Sequence, residues 1–224
     1  MKTNIMINVV NVTKSYKSKV LDNISFDIEE GGIICIAGRN GSGKSTLLRI
    51  IASILEPDSG EIRIDGTKIN SKLAKKHLGY VAQKNSLFEE LTVKDNIKFF
   101  TGVNGKLSMK YKFDEDILQK KIYQLSDGMR KRVNILVSLI NNPDYLLMDE
   151  PTANLDLYYK KQISDIIMEY KRSGKTIVFT SHDVGEMFLC DKLYALKDGK
   201  FIFSGAPQTL GRNEFADKIY DMIK

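Results

Sequence analysis

The sequence contains no tryptophan and only two cysteines among its 224 residues. Cys35 and Cys190 both stand among apolar neighbours. They read as small buried hydrophobes, neither a disulfide nor a metal pair. Long apolar runs are missing as well. Stretches such as Val133 to Ile140 fall far short of the roughly 18–20 residues that a membrane-spanning helix needs. The N-terminus lacks the basic-then-apolar block of a secretion signal. There is no internal repeat, low-complexity tract, linker, sustained heptad pattern or long run of like charges. These absences lead to the expectation of a cytosolic chain that reaches a membrane only through another chain.

What is present is a globular composition, with 28% charged and 42% apolar residues. The length suits one large α/β domain with a small subdomain. The formal net charge of +6 comes from lysine spread along the chain, which suits an anionic nucleotide. No RNA- or DNA-binding motif stands out, so nucleic acid is not expected as a partner.

The strongest motif is Gly38-Arg39-Asn40-Gly41-Ser42-Gly43-Lys44-Ser45-Thr46, which fits the phosphate-loop pattern G-x-x-x-x-G-K-[ST]. An apolar strand, Ile33 to Ala37, precedes it. A helical pattern follows, with Leu47, Leu48, Ile50, Ile51, Ile54 and Leu55 apolar. Glycines let backbone N–H groups turn into a bowl that a helix N-terminus completes. Lys44 would reach the β- and γ-phosphates, and the Ser45 hydroxyl would ligate Mg²⁺. A plain glycine turn with a solvated lysine is the bland alternative.

Other elements follow from pattern. Residues 5–36 read as β-rich. Pro57 to Gly60 marks a turn, Ile62 and Ile64 alternate up to the hairpin signal Asp65-Gly66, and Leu78 to Gln83 holds a short strand. Residues 84–142 read as mainly helical, with loop signals at Gly102 to Gly105. Tyr145 to Met148 is a strand, Leu157 to Tyr170 a helix and Thr176 to Thr180 a strand. Tyr194 to Leu196 and Phe201 to Phe203 flank a hairpin at Asp198-Gly199, and the last ten residues read as an amphipathic helix. The expected organisation is a single domain over 1–224. Residues 1–83 and 143–224 form a core with a β-subdomain, and 84–142 form an inserted helical subdomain.

A phosphate loop needs an acidic partner for Mg²⁺. The strand Tyr145 to Met148 ends in Asp149, suited to hold the metal, and Glu150 follows, suited to polarise a water. Leu125-Ser126-Asp127-Gly128-Met129 precedes this pair, with Ser126 23 residues before Asp149. At this point the chain resembles the ATP-binding subunits of ABC transporters (ATP-binding cassette proteins) over essentially its whole length. That family's signature is L-S-G-G-Q, matched here at Leu125, Ser126 and Gly128. The resemblance implies that Tyr16 stacks on adenine and that Gln83 senses the γ-phosphate and Mg²⁺. It implies that Ala153-Asn154-Leu155-Asp156 crosses a dimer interface and that His182 contacts the γ-phosphate. Alone, Tyr16 reads equally as a hairpin tyrosine, Gln83 as a strand cap and His182 as a loop residue. Asp156 and Ser126 also read as helix N-caps. The fold implied is the P-loop NTPase of ABC ATPase type, an α/β fold with a RecA-like core, an antiparallel β-subdomain and a helical subdomain. The ligands implied are ATP and Mg²⁺. The partners implied are a second ABC ATPase subunit, bound head to tail as a homo- or heterodimer, and integral-membrane permease subunits that would hold the chain at the inner face of the membrane.

The signature departs from the family at Asp127 and Met129. A carboxylate about 8 Å from a phosphate charge costs roughly 2 kcal/mol at an effective dielectric near 20, close to one transition-state hydrogen bond. Asp127 is therefore expected to point outward at the helix start, where its charge suits the dipole. Gly128-Met129-Arg130-Lys131-Arg132 and the segment Leu87 to Ile97 resemble drug and antibiotic exporter ATPases. Leu87, Phe88 and Leu91 are candidates for a docking groove or for packing inside the helical subdomain. The rival within the superfamily is a soluble ATPase that powers an assembly reaction such as iron–sulfur cluster biogenesis. The missing heptads speak against a DNA-repair ATPase, and the single cassette against a translation factor.

Overall fold

The structure is a computed structural model and describes residues 6–101, 115–209 and 211–223. The chain opens with β1 (Met6–Ser15), β2 (Lys19–Glu29) and β3 (Ile33–Ala37), then α1 (Lys44–Ile51). Next come β4 (Ser59–Ile64), β5 (Thr67–Lys68), α2 (Ser71–His77) and β6 (Leu78–Val81). The middle holds α3 (Val93–Thr101), α4 (Glu115–Leu118) and α5 (Asp127–Leu139). The chain continues with β7 (Tyr145–Asp149), α6 (Leu157–Arg172), β8 (Thr176–Ser181) and α7 (Val184–Met187). It finishes with β9 (Lys192–Lys197), β10 (Lys200–Gly205) and α8 (Arg212–Ile223).

Two sheets form. The smaller is antiparallel, in the order β2-β1-β4-β5. The larger runs β10-β9-β3-β8-β7-β6, parallel except for the hairpin strand β10. Its central strands β3, β7 and β8 are buried at every position, which explains their unbroken apolar sequence. Side chains alternate between the faces. Ile34 and Ile36 join Leu47, Leu48, Ile50 and Ile51 of α1 and the inner face of the small sheet in one core. Ile33, Cys35 and Ala37 join α5, α6 and α8 in the other. Helix α1 is thereby packed between the two sheets, with the loop that precedes it open at one end.

Both hairpins have the tight two-residue geometry expected, with Asp65 and Gly66 at φ 50° and 73° and Asp198 and Gly199 at 49° and 75°. The structure differs from the sequence reading in four places. Helix α2 lies between Gly66 and Leu78, where no element is expected; Asn70 caps it by accepting the Leu73 N–H at 2.9 Å. In the 84–142 stretch, regular helix begins only at Val93, because Asn96 occupies the preceding loop's polar groups, accepting the Phe88 N–H and donating to the Phe88 carbonyl. Ser59 and Gly60 belong to β4 rather than to a turn, since Asp58 bonds Lys14 and the Ser15 N–H and draws the segment against β1. Helix α8 has 12 residues and anchors on buried Phe215 and Ile219. The Gly102 to Gly105 signal lies outside the described residues.

Parallel strands point their C-terminal ends the same way. The phosphate loop after β3, Asp149 and Glu150 at the end of β7, Gln83 after β6 and His182 after β8 are therefore carried to one edge of the large sheet, where ligands of open α/β sheets bind.

Candidate active site

At that edge a cavity of about 380 Å³ is lined by Val20, Asn40, Gly41, Gly43, Lys44, Ser45, Thr46, Gln83 and Glu150. Gly43, the residue before α1, has φ 105°, and a Cβ there would lie 2.8 Å from the Val20 carbonyl oxygen. Only glycine fits that approach. Lys44 is 4% exposed. Its ammonium donates to the carbonyls of Gly38 and Arg39 at 2.8 and 3.0 Å and lies 3.6 Å from Glu150 Oε1. Burial pulls its pKa below the usual lysine value, while the carboxylates of Glu150 and Asp149 oppose that shift.

Asp149 is fully buried. Its Oδ1 accepts from the Ser45 hydroxyl at 2.9 Å and the Thr180 hydroxyl at 2.7 Å. Its Oδ2 is buried with no hydrogen-bond partner among the described residues. An orphaned carboxylate oxygen beside a serine hydroxyl suits a hard divalent cation, so these residues fit Mg²⁺.

Glu150 sits at φ 45°, a left-handed conformation that costs a non-glycine residue about 1 kcal/mol or more. The turn is held by its N–H, which donates to Thr180 Oγ1 at 2.9 Å. Three groups surround its carboxylate: Lys44, Gln83 donating through Nε2 at 2.9 Å, and His182 Nδ1 at 3.4 Å. His182 remains 52% exposed.

The other expected residues lie outside this cavity. Tyr16 is an exposed ring at the tip between β1 and β2, with Lys14 Nζ 5.9 Å from its centroid. Ser126 and Gly128 start α5, and Ser126 caps it by accepting the Met129 N–H at 3.3 Å. The Asp127 side chain is 91% exposed and lies 3.8 Å from Arg130. Asp127 also lines a second cavity of about 220 Å³ that reaches Gln83, Glu150 and the Ala153 to Leu155 loop. Asp156 caps α6 through the Tyr159 N–H at 3.0 Å. Of the docking candidates, Leu87 is buried, while Phe88 and Leu91 are exposed.

Sequence reasoning missed three contributors. Thr180 binds both Asp149 and Glu150, and only its neighbour His182 drew notice. Lys131 donates to the carbonyls of Ala82 and Gln83 at 2.9 and 3.2 Å; its place in the basic run after Met129 gave no hint of this. Tyr159 meets Ser126, a contact between two helices that no local pattern encodes.

A phosphate loop leading into a helix beside a strand that ends in an acidic pair defines a P-loop nucleoside triphosphatase. The family model described as ABC transporter matches residues 21–153. The chain belongs to the ABC transporter family, as an ATP-binding subunit and ABC-type ATPase. The petrobactin import ATP-binding protein YclP of Bacillus subtilis is 35% identical, over 97% of this chain and 93% of that one. The Nod factor export ATP-binding protein I of Sinorhizobium fredii is 34% identical, over 93% of this chain and 65% of that one. Importers and exporters thus stand at like distance. Among solved structures, the dimeric ATP-binding cassette MJ0796 bound to ADP and Pi superposes with a TM-score of 0.80 at 30% identity, covering 89% of this chain and 98% of that one. CbiO1 from Clostridium perfringens, described as part of the transporter complex cbiONQ, gives a TM-score of 0.76 at 30% identity, covering 97% and 93%. No described helix is long and apolar enough to cross a membrane.

Proposed function

We propose that this chain hydrolyses ATP as one half of a head-to-tail dimer and thereby drives integral-membrane permease subunits. The observation that carries this reading is the setting of Glu150: a nearly buried carboxylate next to Asp149, ringed by Lys44, Gln83 and His182. In the working complex Lys44 leaves the carbonyls of Gly38 and Arg39 for the β- and γ-phosphates. The loop residues from Gly38 to Thr46 cradle the same phosphates, and Tyr16 offers its exposed ring to adenine. Glu150 orients a water and takes its proton as the water oxygen attacks γ-phosphorus. The bond to the β–γ bridging oxygen breaks, and ADP and phosphate result. Gln83 and His182, already on Glu150, turn to the γ-phosphate when it arrives. Ser45, Gln83 and Asp149 would hold Mg²⁺, which neutralises charge on the transferring group.

One chain does not complete the site in this reading. Ser126 and Gly128 head α5 outside the loop's cavity, free to close over the nucleotide of a second subunit. The dimeric description of MJ0796 supports this. The permease would dock on Phe88, Leu91, Phe99 and Phe100, all exposed beside the loop after Gln83, and the printed description of CbiO1 as part of a transporter complex supports that partner. Such docking puts the chain on the cytoplasmic face of the membrane. Export is the direction we favour, on the run Gly128 to Arg132 and the segment Leu87 to Ile97; vesicles carrying the cognate permease would report the direction directly.

The test is Glu150→Gln. The variant should bind ATP with Mg²⁺ and lose steady-state hydrolysis. Hydrolysis at the parent rate would remove Glu150 from the role of base.

A further inference from the structure

The proposed closure requires Ser126 to donate its hydroxyl proton to a terminal phosphate, yet in this structure that proton is already used. Ser126 Oγ donates to the Tyr159 hydroxyl at 3.1 Å while its lone pair takes the Met129 N–H. A serine hydroxyl has one proton to give. Tyr159 therefore stands beside the signature serine, with its own phenolic proton uncommitted among the described residues. Its position is fixed. Tyr159 lies in the first turn of α6, and its ring covers Gly128 so closely that a Cβ on Gly128 would come within 2.2 Å of ring carbons. Gly128 is thus shaped for this ring as well as for a nucleotide. Beside it, Tyr158 packs its ring 5.3 Å from that of Tyr159 and is 66% exposed, and Leu157 is 85% exposed.

We propose that Tyr159 is a further nucleotide-contacting residue of the signature half-site, donating its phenolic proton to the terminal phosphate held by a second copy of the chain. The inference rests on the head-to-tail dimer proposed above. A terminal phosphate has three acceptor oxygens, so it can take Ser126 and Tyr159 together. When Ser126 turns to the phosphate, Tyr159 loses a donor and gains a charged acceptor. A diphosphate that lacks the terminal group offers neither exchange, so Tyr159 favours ATP over ADP in closure.

The test compares Glu150→Gln with Glu150→Gln/Tyr159→Phe. Phenylalanine keeps the ring on Gly128 and removes only the hydroxyl with its one exposed bond to Ser126, so melting temperature should fall by only about 2–4 °C. Binding of ATP to the dilute monomer should be unchanged, because Tyr159 is absent from the chain's own phosphate cavity. The ATP concentration for half-maximal dimerisation, read by light scattering, should rise about tenfold or more, as for loss of one hydrogen bond to a charged group. An unchanged midpoint overturns the proposal. So does a lower midpoint, which would make Tyr159 a latch that holds Ser126 back. If Glu150→Gln alone fails to dimerise with ATP, the dimer reading falls and this inference with it.

Discussion

Glu150 shows how one residue can be held in place at a local cost. Its positive φ is unfavourable for a side chain with a Cβ, and the Thr180 hydroxyl on its N–H helps hold it there. Asp149 next to it keeps one buried oxygen without a partner among the described residues. Both features lie at the edge of the sheet where the loop opens. Asp127 is the opposite case. Its charge looks harmful on paper, but the Arg130 guanidinium lies 3.8 Å away and offsets it. Asp127→Gly should therefore leave ATP turnover within tenfold of the parent. A larger rise in a steady-state phosphate-release assay would mean that the carboxylate faces the nucleotide. The phosphate loop, Asp149 and Glu150 were legible because their chemistry is written in consecutive residues. Thr180 was not, because its role depends on β8 lying beside β7 in register, Asp149 opposite Thr180.

At the scale of elements, α5 ties Ser126 and Gly128 at its start to the segment at Gln83. Its Lys131 reaches the carbonyls of Ala82 and Gln83 from a half-buried position. Burial lowers the Lys131 pKa to about 8, against the opposing pull of Asp149 and Glu150. Unfolded, the side chain regains the usual lysine value near 10.5. Between about pH 8 and 10.5 the unfolded chain then binds more protons than the native one, so this group makes stability rise with pH. The gain is complete above the unfolded pKa and gone below about pH 8. Lys131→Met should flatten that part of the profile by up to about 1.4 kcal/mol per pH unit, read from urea midpoints of nucleotide-free protein at several pH values. Sequence pattern found α5 with its Ser126 cap, since both are local. It missed α2, a seven-residue helix whose signal is little more than Asn70 and its bond to Leu73. Short helices hold by tertiary packing more than by propensity, and packing is not a local property.

For the whole molecule, the exposed aromatic patch is the feature that the isolated chain does not explain. Phe88 lies 4.7 Å from Phe99 and 5.9 Å from Phe100, ring centre to ring centre, with all three rings exposed. The patch sits apart from the phosphate cavity, on the side reached through the segment after Gln83. Phe99→Asp should abolish co-purification with a membrane subunit while ATP hydrolysis by the isolated chain stays within about twofold. Parallel loss of both activities would assign the patch to folding of the helical segment instead. The sequence by itself determined the class of protein. Strand, glycine loop and helix follow one another along the chain, and the acidic pair ends its own strand, so backbone geometry and chemistry could be read within a few residues. Only the tertiary structure decided which side chains share the site. Six strands in the order β10-β9-β3-β8-β7-β6 bring residues from four distant segments to one edge, and α6 brings Tyr159 onto Gly128. Those contacts depend on the hydrophobic faces that pack the sheets and helices together, and no window of sequence contains both partners.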